Sequence, residues 1–335
     1  MIRMCSMLRA RRRVISAAAR SCVQPLRRSC GALAAAIIAF AGLPVGAQSP
    51  AQPIAQRAAR RDGKVPILEY HLIGGTDGRW TRSVASFRAD LELLYRRGYR
   101  PVTIGELSDG VLDIPVGTSP VVFTFDDASP GQFRYIEKGG QLSIDPESAV
   151  GIWLAFNAKH PDWRKKATFC LLPAAAAGHA FFGDKGIDGQ QTAWRFRKVK
   201  FLAEQGFELC GHTLWHAQLD KYDDRMVQEQ IARGVLAIDS AIAGYRVRTF
   251  ALPLGIWPKN RALAQSGSWT DPRTKKTVRY RFDAILEVSG KPSPGPFSAG
   301  FNKLSLNRQQ VIGNALALLL DRLEPERLVA GTPAR

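Results

Sequence analysis

Four side chains in two short segments have the types and spacing of a hydrolytic metal site. An apolar run ends in the adjacent acids Asp126 and Asp127, and another apolar run is followed by His212 and His216. One carboxylate and two imidazoles bind a divalent cation and leave coordination positions open. We therefore predict that Asp127, His212 and His216 bind the metal. Asp126, beside the ligand, is predicted to act as the base on a water molecule.

The donor set favours Zn²⁺, with Co²⁺, Ni²⁺ or Fe²⁺ as alternatives, because mixed nitrogen and oxygen ligands suit all four cations. No Glu follows His212, so the pair is not the His-Glu-x-x-His of a metalloprotease, and the base has to come from elsewhere in the chain. Taken singly, the histidine pair could be a coincidence on a helix surface, and the two acids could cap a helix. Their occurrence together behind apolar runs favours the metal site.

Strand-like and helix-like segments alternate along the chain, which predicts parallel β-α units. The predicted strands are 65–70, 121–125, 167–172, 207–210, 247–251 and 282–288, and the predicted helices are 84–97, 145–159, 194–204, 225–242 and 308–323. This order fits an α/β barrel or a doubly wound sheet. In either fold, the carboxyl ends of the strands carry the active site, which is where both metal motifs lie.

The first 47 residues read as a signal peptide, so the protein is expected to be periplasmic or secreted. Residues 1–28 contain eight arginines and no acid, and an apolar run rich in alanine follows. An uncleaved membrane anchor is the alternative, although the run is short for a full span. Removing residues 1–47 lowers the formal net charge from +18 to +10. Residues 48–64 are expected to form a linker.

A basic exported protein suits an anionic envelope polymer or a membrane surface, and no nucleic-acid-binding motif accompanies the charge. Nucleic acid is therefore not an expected partner, and contact with a membrane is expected only through the signal or an uncleaved anchor. After the first 47 residues only Cys170 and Cys210 remain, both inside apolar runs. Two buried thiols are favoured over a disulfide.

The two metal motifs give the chain a resemblance to the polysaccharide deacetylases, the NodB-homology group or carbohydrate esterase family 4. The resemblance extends over about residues 65–254 and is carried by Thr124-Phe125-Asp126-Asp127, His212-Thr213-Leu214-Trp215-His216, Ala167-Thr168-Phe169 and the segments 65–71 and 99–103. It implies a distorted (β/α) barrel in a catalytic domain over 65–325, followed by a tail over 326–335. It also implies removal of N-acetyl groups from amino sugars, or sometimes of O-acetyl groups.

The chain departs from the family pattern in two places. Its third motif, 250–255, has Ala251 where the family has the arginine that orients the base, and Leu254 where it has an aromatic residue. The backbone N–H of Leu254 can still stabilise an oxyanion, because that role needs no side chain. No histidine follows His216 to act as the general acid, so His71 becomes the candidate acid, with a packed or capping histidine as the alternative.

The remaining candidates surround the motifs. Trp215 and Trp257 follow the second and third motifs, and their rings are candidates for stacking on a sugar or for packing in the core. Arg308 is expected near the mouth of the site with its charge in solvent. The sequence thus predicts an exported, monomeric, metal-dependent deacetylase of an N-acetylated polysaccharide. The rival functions are an O-acetyl esterase and a metal-containing carbohydrate-binding protein without catalysis.

Overall fold

The computed structural model describes residues 58–174 and 180–331. The predicted signal peptide, most of the predicted linker and His179 lie outside the described residues. Among the described residues, no helix is both long enough and apolar enough to cross a membrane.

Short strands make up the centre of the molecule. They are β1 (Lys64–Val65), β2 (Ile67–Tyr70), β3 (Leu72–Ile73), β4 (Thr81–Arg82), β5 (Tyr99–Val102), β6 (Ser119–Phe125), β7 (Tyr135–Lys138), β8 (Gln141–Ile144), β9 (Thr168–Leu171), β10 (Glu208–Gly211), β11 (Thr249–Ala251), β12 (Ser266–Thr270), β13 (Thr277–Arg281), β14 (Ala284–Leu286), β15 (Ser293–Pro294) and β16 (Gln309–Gln310). Every residue of β2, β5, β6 and β9 is buried, as expected for parallel strands covered on both faces.

The main sheet is parallel and has the order β14-β11-β10-β9-β6-β2-β16, with β5 pairing alongside β6. The last strand of the chain, β16, lies next to the first strand of this sheet, β2. The segment 303–310 connects the two ends, because Leu306 pairs with Leu286 while Gln309 pairs with Leu68. The sheet therefore curls into a distorted barrel. The predicted barrel is confirmed, and the doubly wound sheet is wrong.

Helices cover the outside of the barrel. They are α1 (Val84–Arg96), α2 (Ile104–Asp109), α3 (Ala149–Lys159), α4 (Arg195–Glu204), α5 (Asp224–Ala241), α6 (Ala262–Gln265) and α7 (Ala315–Leu323). In the first turns of α1, α3 and α5, a backbone N–H donates a hydrogen bond to the side chain of the residue that precedes the helix, namely Ser83, Ser148 and Asp223 respectively. These caps satisfy N–H groups that the helices leave without a partner, and so they fix where each helix begins.

Two predicted helices begin later in the structure than in the sequence analysis. The helix predicted at 145–159 begins at Ala149, because Asp145 is used in a turn where it binds Arg134 and the Glu147 N–H. The helix predicted at 308–323 begins at Ala315. Residues 309–310 instead pair with β2, so the backbone before the helix is extended.

The chain also contains elements that the sequence analysis did not identify. Two antiparallel hairpins, β7–β8 and β12–β13, lie outside the main sheet. In addition, Leu328 and Val329 are buried, and they pair with the backbone of 60–65. The predicted end of the linker at residue 64 and the predicted start of the tail at residue 326 therefore lie where these two segments pack against each other. Both segments bury apolar side chains in that contact.

Lys198 is a fully buried lysine on α4. Its Nζ donates hydrogen bonds of 2.7 Å to the Phe182 carbonyl and to Gln190 Oε1, which attach the segment after β9 to the helix. The pKa of Lys198 is lowered to about 7, mainly by burial and in smaller part by the charge of nearby Arg134. A charged ammonium group costs free energy in this site, because burial removes its hydration and no carboxylate of the described residues pairs with it.

The stability of the chain should therefore rise with pH above neutrality. Between the folded pKa of about 7 and the unfolded value of about 10.4, the unfolded state holds a proton that the folded state lacks. Raising the pH therefore destabilises the unfolded state relative to the folded state, and the free energy of unfolding rises. Below both pKa values, Lys198 makes a contribution to stability that does not change with pH. We expect Lys198→Met to abolish this part of the rise in urea unfolding experiments.

Lys200→Met is the matched control, because Lys200 lies on the same helix and is largely exposed. Its stability should follow the pH dependence of the unmodified chain. If the free energy of unfolding rose equally with pH in Lys198→Met and in the unmodified chain between about pH 7 and about pH 9, the lowered pKa of Lys198 would be contradicted.

Candidate metal centre and active site

The two predicted metal motifs lie at the carboxyl ends of the two barrel strands on either side of β9. Asp126 and Asp127 follow β6, and His212 and His216 follow β10, two strands away across β9. Asp127 and His216 have positive φ angles of 75° and 65°. This conformation is uncommon for residues other than glycine, although Asp and His adopt it more readily than most. It turns the chain sharply behind each strand and keeps both side chains at the mouth.

Asp127, His212 and His216 offer three donor atoms to one point. Asp127 Oδ1 is 3.5 Å from His212 Nε2 and 3.7 Å from His216 Nε2. The three donor atoms all lie within 4.8 Å of one another. These separations fit a shared cation at about 2.0–2.2 Å from each donor. The structure thus brings together the three residues predicted as ligands.

The orientation of His212 favours metal binding. Its Nδ1 is 2.8 Å from the Ala251 carbonyl, which can only accept, so the proton is on Nδ1 and the lone pair is on Nε2. Nε2 is buried and has no hydrogen-bond partner among the described residues. A buried acceptor of this kind lacks a partner that a cation would supply. The donor set therefore fits a divalent metal.

Asp126 is held by a buried arginine. Arg308 Nη1 donates to Asp126 Oδ1 over 2.8 Å and to Thr124 Oγ1 over 3.1 Å, while its Nε donates to the Glu287 carbonyl over 3.0 Å. Burial would raise the pKa of Asp126, but the Arg308 guanidinium and His212 lower it well below its usual range. Asp126 is therefore ionised at neutral pH, as a base must be.

Arg308 was expected in solvent, and this prediction is wrong. Its side chain is completely buried, because the backbone of β16 pairs with β2 and directs the guanidinium into the barrel. Glu69 on β2 shares the arginine, with Oε1 at 3.1 Å from Arg308 Nη2. Burial is the main cause that raises the pKa of Glu69 to about 7, and the charge of Asp126 adds to it.

The sequence analysis assigned no role to Glu69, although one signal was available. Glu69 is the one acid in a strand that is otherwise apolar, and a strand buried on both faces cannot hold a lone carboxylate without a cation. That reasoning predicts a buried basic partner for Glu69. It does not say which arginine of the chain supplies it, because the partner lies far away in sequence.

With Glu69 ionised, above its pKa of about 7, the formal charges at the site match one divalent cation. The carboxylates of Glu69, Asp126 and Asp127 carry three negative charges and Arg308 carries one positive charge, which leaves two negative charges. Glu69, His71 and Asp126 also have donor atoms within 4.8 Å of one another. A second cation there would be repelled by Arg308, which already contacts both carboxylates.

His71, the candidate acid, directly follows β2 beside the base. Its Nε2 is 3.8 Å from Glu69 Oε1, and its ring packs edge-on against Trp80 with the centroids 4.8 Å apart. Burial lowers the pKa of His71, whereas the charge of Asp126 acts in the opposite direction. The structure therefore places His71 within reach of the same site. Whether it donates a proton stays a prediction.

The other three predicted site residues lie in the loops that follow β10 and β11. Leu254 has a positive φ of 59° and its side chain is 54% exposed. Trp215 is 41% exposed and offers a free ring surface. Trp257 is more enclosed, since it donates Nε1–H to Glu287 over 2.7 Å and the Arg261 guanidinium lies 4.0 Å from its ring centroid.

One family of known proteins matches part of the chain. The model of the polysaccharide deacetylase family matches residues 152–268, a range that contains both metal-site histidines but begins after the two acids. No curated protein matches the chain in a direct sequence comparison.

Solved structures with this fold include deacetylases that are distant in sequence. The deacetylase PplD of Streptococcus pyogenes, solved with acetate, is 18% identical with a TM-score of 0.55, over 79% of this chain and 100% of that one. The polysaccharide deacetylase BC0361 of Bacillus cereus is 16% identical with a TM-score of 0.53, over 78% of this chain and 69% of that one. The predicted resemblance is confirmed: the chain has the fold of the polysaccharide deacetylases, and residues 152–268 match the sequence pattern of that family.

Proposed function

We propose that the chain is an exported metal-dependent hydrolase that removes N-acetyl groups from an amino-sugar polymer. The observation that carries this proposal is the convergence of Asp127, His212 and His216 next to an ionised Asp126. Three ligands with an adjacent base are what acetyl hydrolysis requires at neutral pH. Zn²⁺ fits the donors best, with Co²⁺, Ni²⁺ and Fe²⁺ as alternatives.

Each group of the site has a separate role in the proposed reaction. A cation held by Asp127, His212 and His216 would supply a Lewis acid that polarises the acetyl group and the attacking water. Asp126 accepts the proton of that water on Oδ2, because Arg308 occupies Oδ1. His71 gives a proton to the departing amine, and the charges of Asp126 and Asp127 oppose the burial that lowers the pKa of its imidazole. The Leu254 N–H faces the developing oxyanion in this proposal.

The rival function as a non-catalytic binding protein is less well supported after the position of Arg308 is known. It was motivated by the absence of an arginine from the third motif and of a late histidine. Arg308, just before β16, donates a hydrogen bond to the Asp126 carboxylate, and His71 Nε2 lies 3.8 Å from Glu69 Oε1. The esterase alternative uses the same residues, so only the substrate distinguishes it.

Export is proposed on the leader sequence alone, with its arginines and its alanine-rich apolar run before residue 48. A periplasmic or secreted location would give the enzyme access to acetylated envelope polysaccharide. Cleavage near residue 47 can be checked by N-terminal sequencing of the protein recovered outside the cytoplasm.

Asp126→Asn should lower the rate of acetate release at least about a thousandfold, because an amide cannot accept the proton of the attacking water. Acetate is measured after adding the metal-loaded protein to N-acetylglucosamine oligomers and, separately, to O-acetylated oligosaccharides. Release from the N-acetylated series alone supports the proposal.

Release from the O-acetylated series alone would identify an esterase instead. Glycan binding without acetate release from either series would favour the binding protein. The control is metal content, which Asp126→Asn should retain, since Asp126 is not among the three proposed ligands.

Arg308→Met should lower kcat/KM by about a hundredfold or more and move the acidic limb of its pH profile to higher pH. Without the guanidinium, burial and the neighbouring carboxylates raise the pKa of Asp126, so the base is protonated over more of the pH range. Arg308→Lys keeps the charge and should recover part of the rate and of the pH profile.

Removing a buried cation also destabilises the fold, by about 3–5 kcal/mol. Glu69→Gln combined with Arg308→Met removes one of the two carboxylates that lose their partner, so this double variant should unfold at a higher temperature than Arg308→Met. Arg246→Met, at an exposed ion pair with Asp283, is the surface control. An unchanged pH profile in Arg308→Met would contradict the orienting role.

His216→Ala should weaken binding of Zn²⁺ or Co²⁺ by about a hundredfold or more, because one of only three protein ligands is lost. Metal per chain is measured by elemental analysis after dialysis, and the Co²⁺ absorption spectrum reports the coordination. One ion per chain is expected in the unmodified protein.

His160→Ala is the control, because His160 packs against Tyr95 and Phe156 away from the site. It should keep full metal content. Equal metal affinity of His216→Ala and the unmodified protein would show that the proposed ligand set is wrong.

A further inference from the structure

Six large apolar side chains are exposed around the mouth of the barrel. They form what we call the apolar rim: Leu72, Trp80, Trp215, Leu254, Val288 and Ile312. Single exposed apolar residues are ordinary on a protein surface, but a group at one site usually marks an interaction surface.

The position of these residues follows from the topology of the sheet. Leu72, Trp215, Leu254, Val288 and Ile312 each lie two to four residues after the end of a barrel strand, namely after β2, β10, β11, β14 and β16 respectively. All of these strands are parallel, so their carboxyl ends share one edge. Trp80 joins the group because its carbonyl accepts the Leu72 N–H over 2.9 Å.

The backbone conformation of Leu254 holds its side chain in solvent. A positive φ is strained for a leucine and is ordinarily left to glycine or asparagine. The angle of 59° nevertheless holds Leu254 in a tight turn before Gly255, with more than half of its side chain in solvent. Gly255 packs against Val288, so two members of the rim come from touching loops.

Cationic side chains accompany the apolar rim. The Arg79 guanidinium lies 4.8 Å from the ring centroid of Trp80, and exposed Lys259 lies in the same β11–α6 connection as Leu254. Arg261, in that connection too, covers Trp257 and is 3.7 Å from Glu287. Tryptophan, aliphatic and basic side chains together are the composition of surfaces that insert into the headgroup region of an anionic bilayer. The composition therefore combines apolar burial with charge complementarity.

We propose that the apolar rim docks the mouth of the barrel onto an anionic lipid bilayer. A polysaccharide alone does not account for the rim, because four of its six members are aliphatic and have no ring to stack on a sugar. Aliphatic side chains gain most from transfer out of water, at about 25 cal/mol for each Å² buried. Docking of this kind directs the site at amino sugars held close to the membrane surface.

The test uses full-length protein and vesicles of phosphatidylcholine with phosphatidylglycerol, without substrate or added metal. Brominated acyl chains quench tryptophan fluorescence on contact, and residues 1–57 contain no tryptophan, so insertion of the leader alone gives no quenching. We expect quenching by bromolipid, and Trp80→Phe should reduce it. Leu72→Ser combined with Ile312→Ser should weaken the quenching titration about tenfold.

Val111→Ser combined with Val116→Ser is the matched control, because these exposed valines precede β6 and lie at the opposite end of the barrel. It should titrate like the unmodified chain. The inference is overturned if both double variants titrate alike, or if bromolipid quenches nothing at low salt. It is also overturned if a soluble acidic polysaccharide binds the protein and vesicles do not. Vesicle binding needs no catalysis, so these outcomes are separate from failure of the proposed function.

Discussion

The ion pair between Arg308 and the carboxylates of Glu69 and Asp126 is the interaction on which the site depends. Each of these three side chains is almost fully buried, and an isolated charge there would cost several kcal/mol. The guanidinium offsets that cost for two acids at once and keeps Asp126 ionised beside the ligands. A divalent cation bound by Asp127 and the two histidines would then complete the neutralisation. Removing any one charge leaves the others without compensation, which couples the stability of the mouth to its chemistry.

The barrel supplies geometry that no single segment contains. Parallel pairing aligns the ends of β2, β6 and β10 at one edge, and Arg308, which precedes β16, reaches Glu69 and Asp126 there, so residues from four distant segments meet. Non-glycine residues with positive φ follow β6, β10 and β11, and each turns the chain immediately behind its strand. Thr213 strengthens one of these turns, since its hydroxyl accepts the backbone N–H of His216 and of Ala217. The site is therefore held by backbone geometry as much as by side-chain contacts.

The sequence predicted the features that depend on local pattern. Apolar runs followed by Asp126-Asp127 and by His212 identified the strands, the family and the residues that the structure brings together. It failed where the outcome depended on distant pairing. Arg308 was placed in a surface helix because its neighbours have helical spacing, yet two residues of strand pairing at 309–310 decide its burial. The hairpin β12–β13 was missed although its inward residues, Trp269, Val278 and Tyr280, alternate with polar ones, which is the pattern of a half-buried strand.

The sequence separation between Asp126 and Arg308, 182 residues, has a consequence for how the protein matures. A chain that folds while it is synthesised from its N-terminus presents Glu69, Asp126 and Asp127 long before Arg308 is added. Until the segment around residue 308 docks against β2, those acids remain uncompensated and the sheet remains open at that edge. The candidate site is thus completed only when the segment around residue 308 has joined the sheet, after most of the domain has been synthesised.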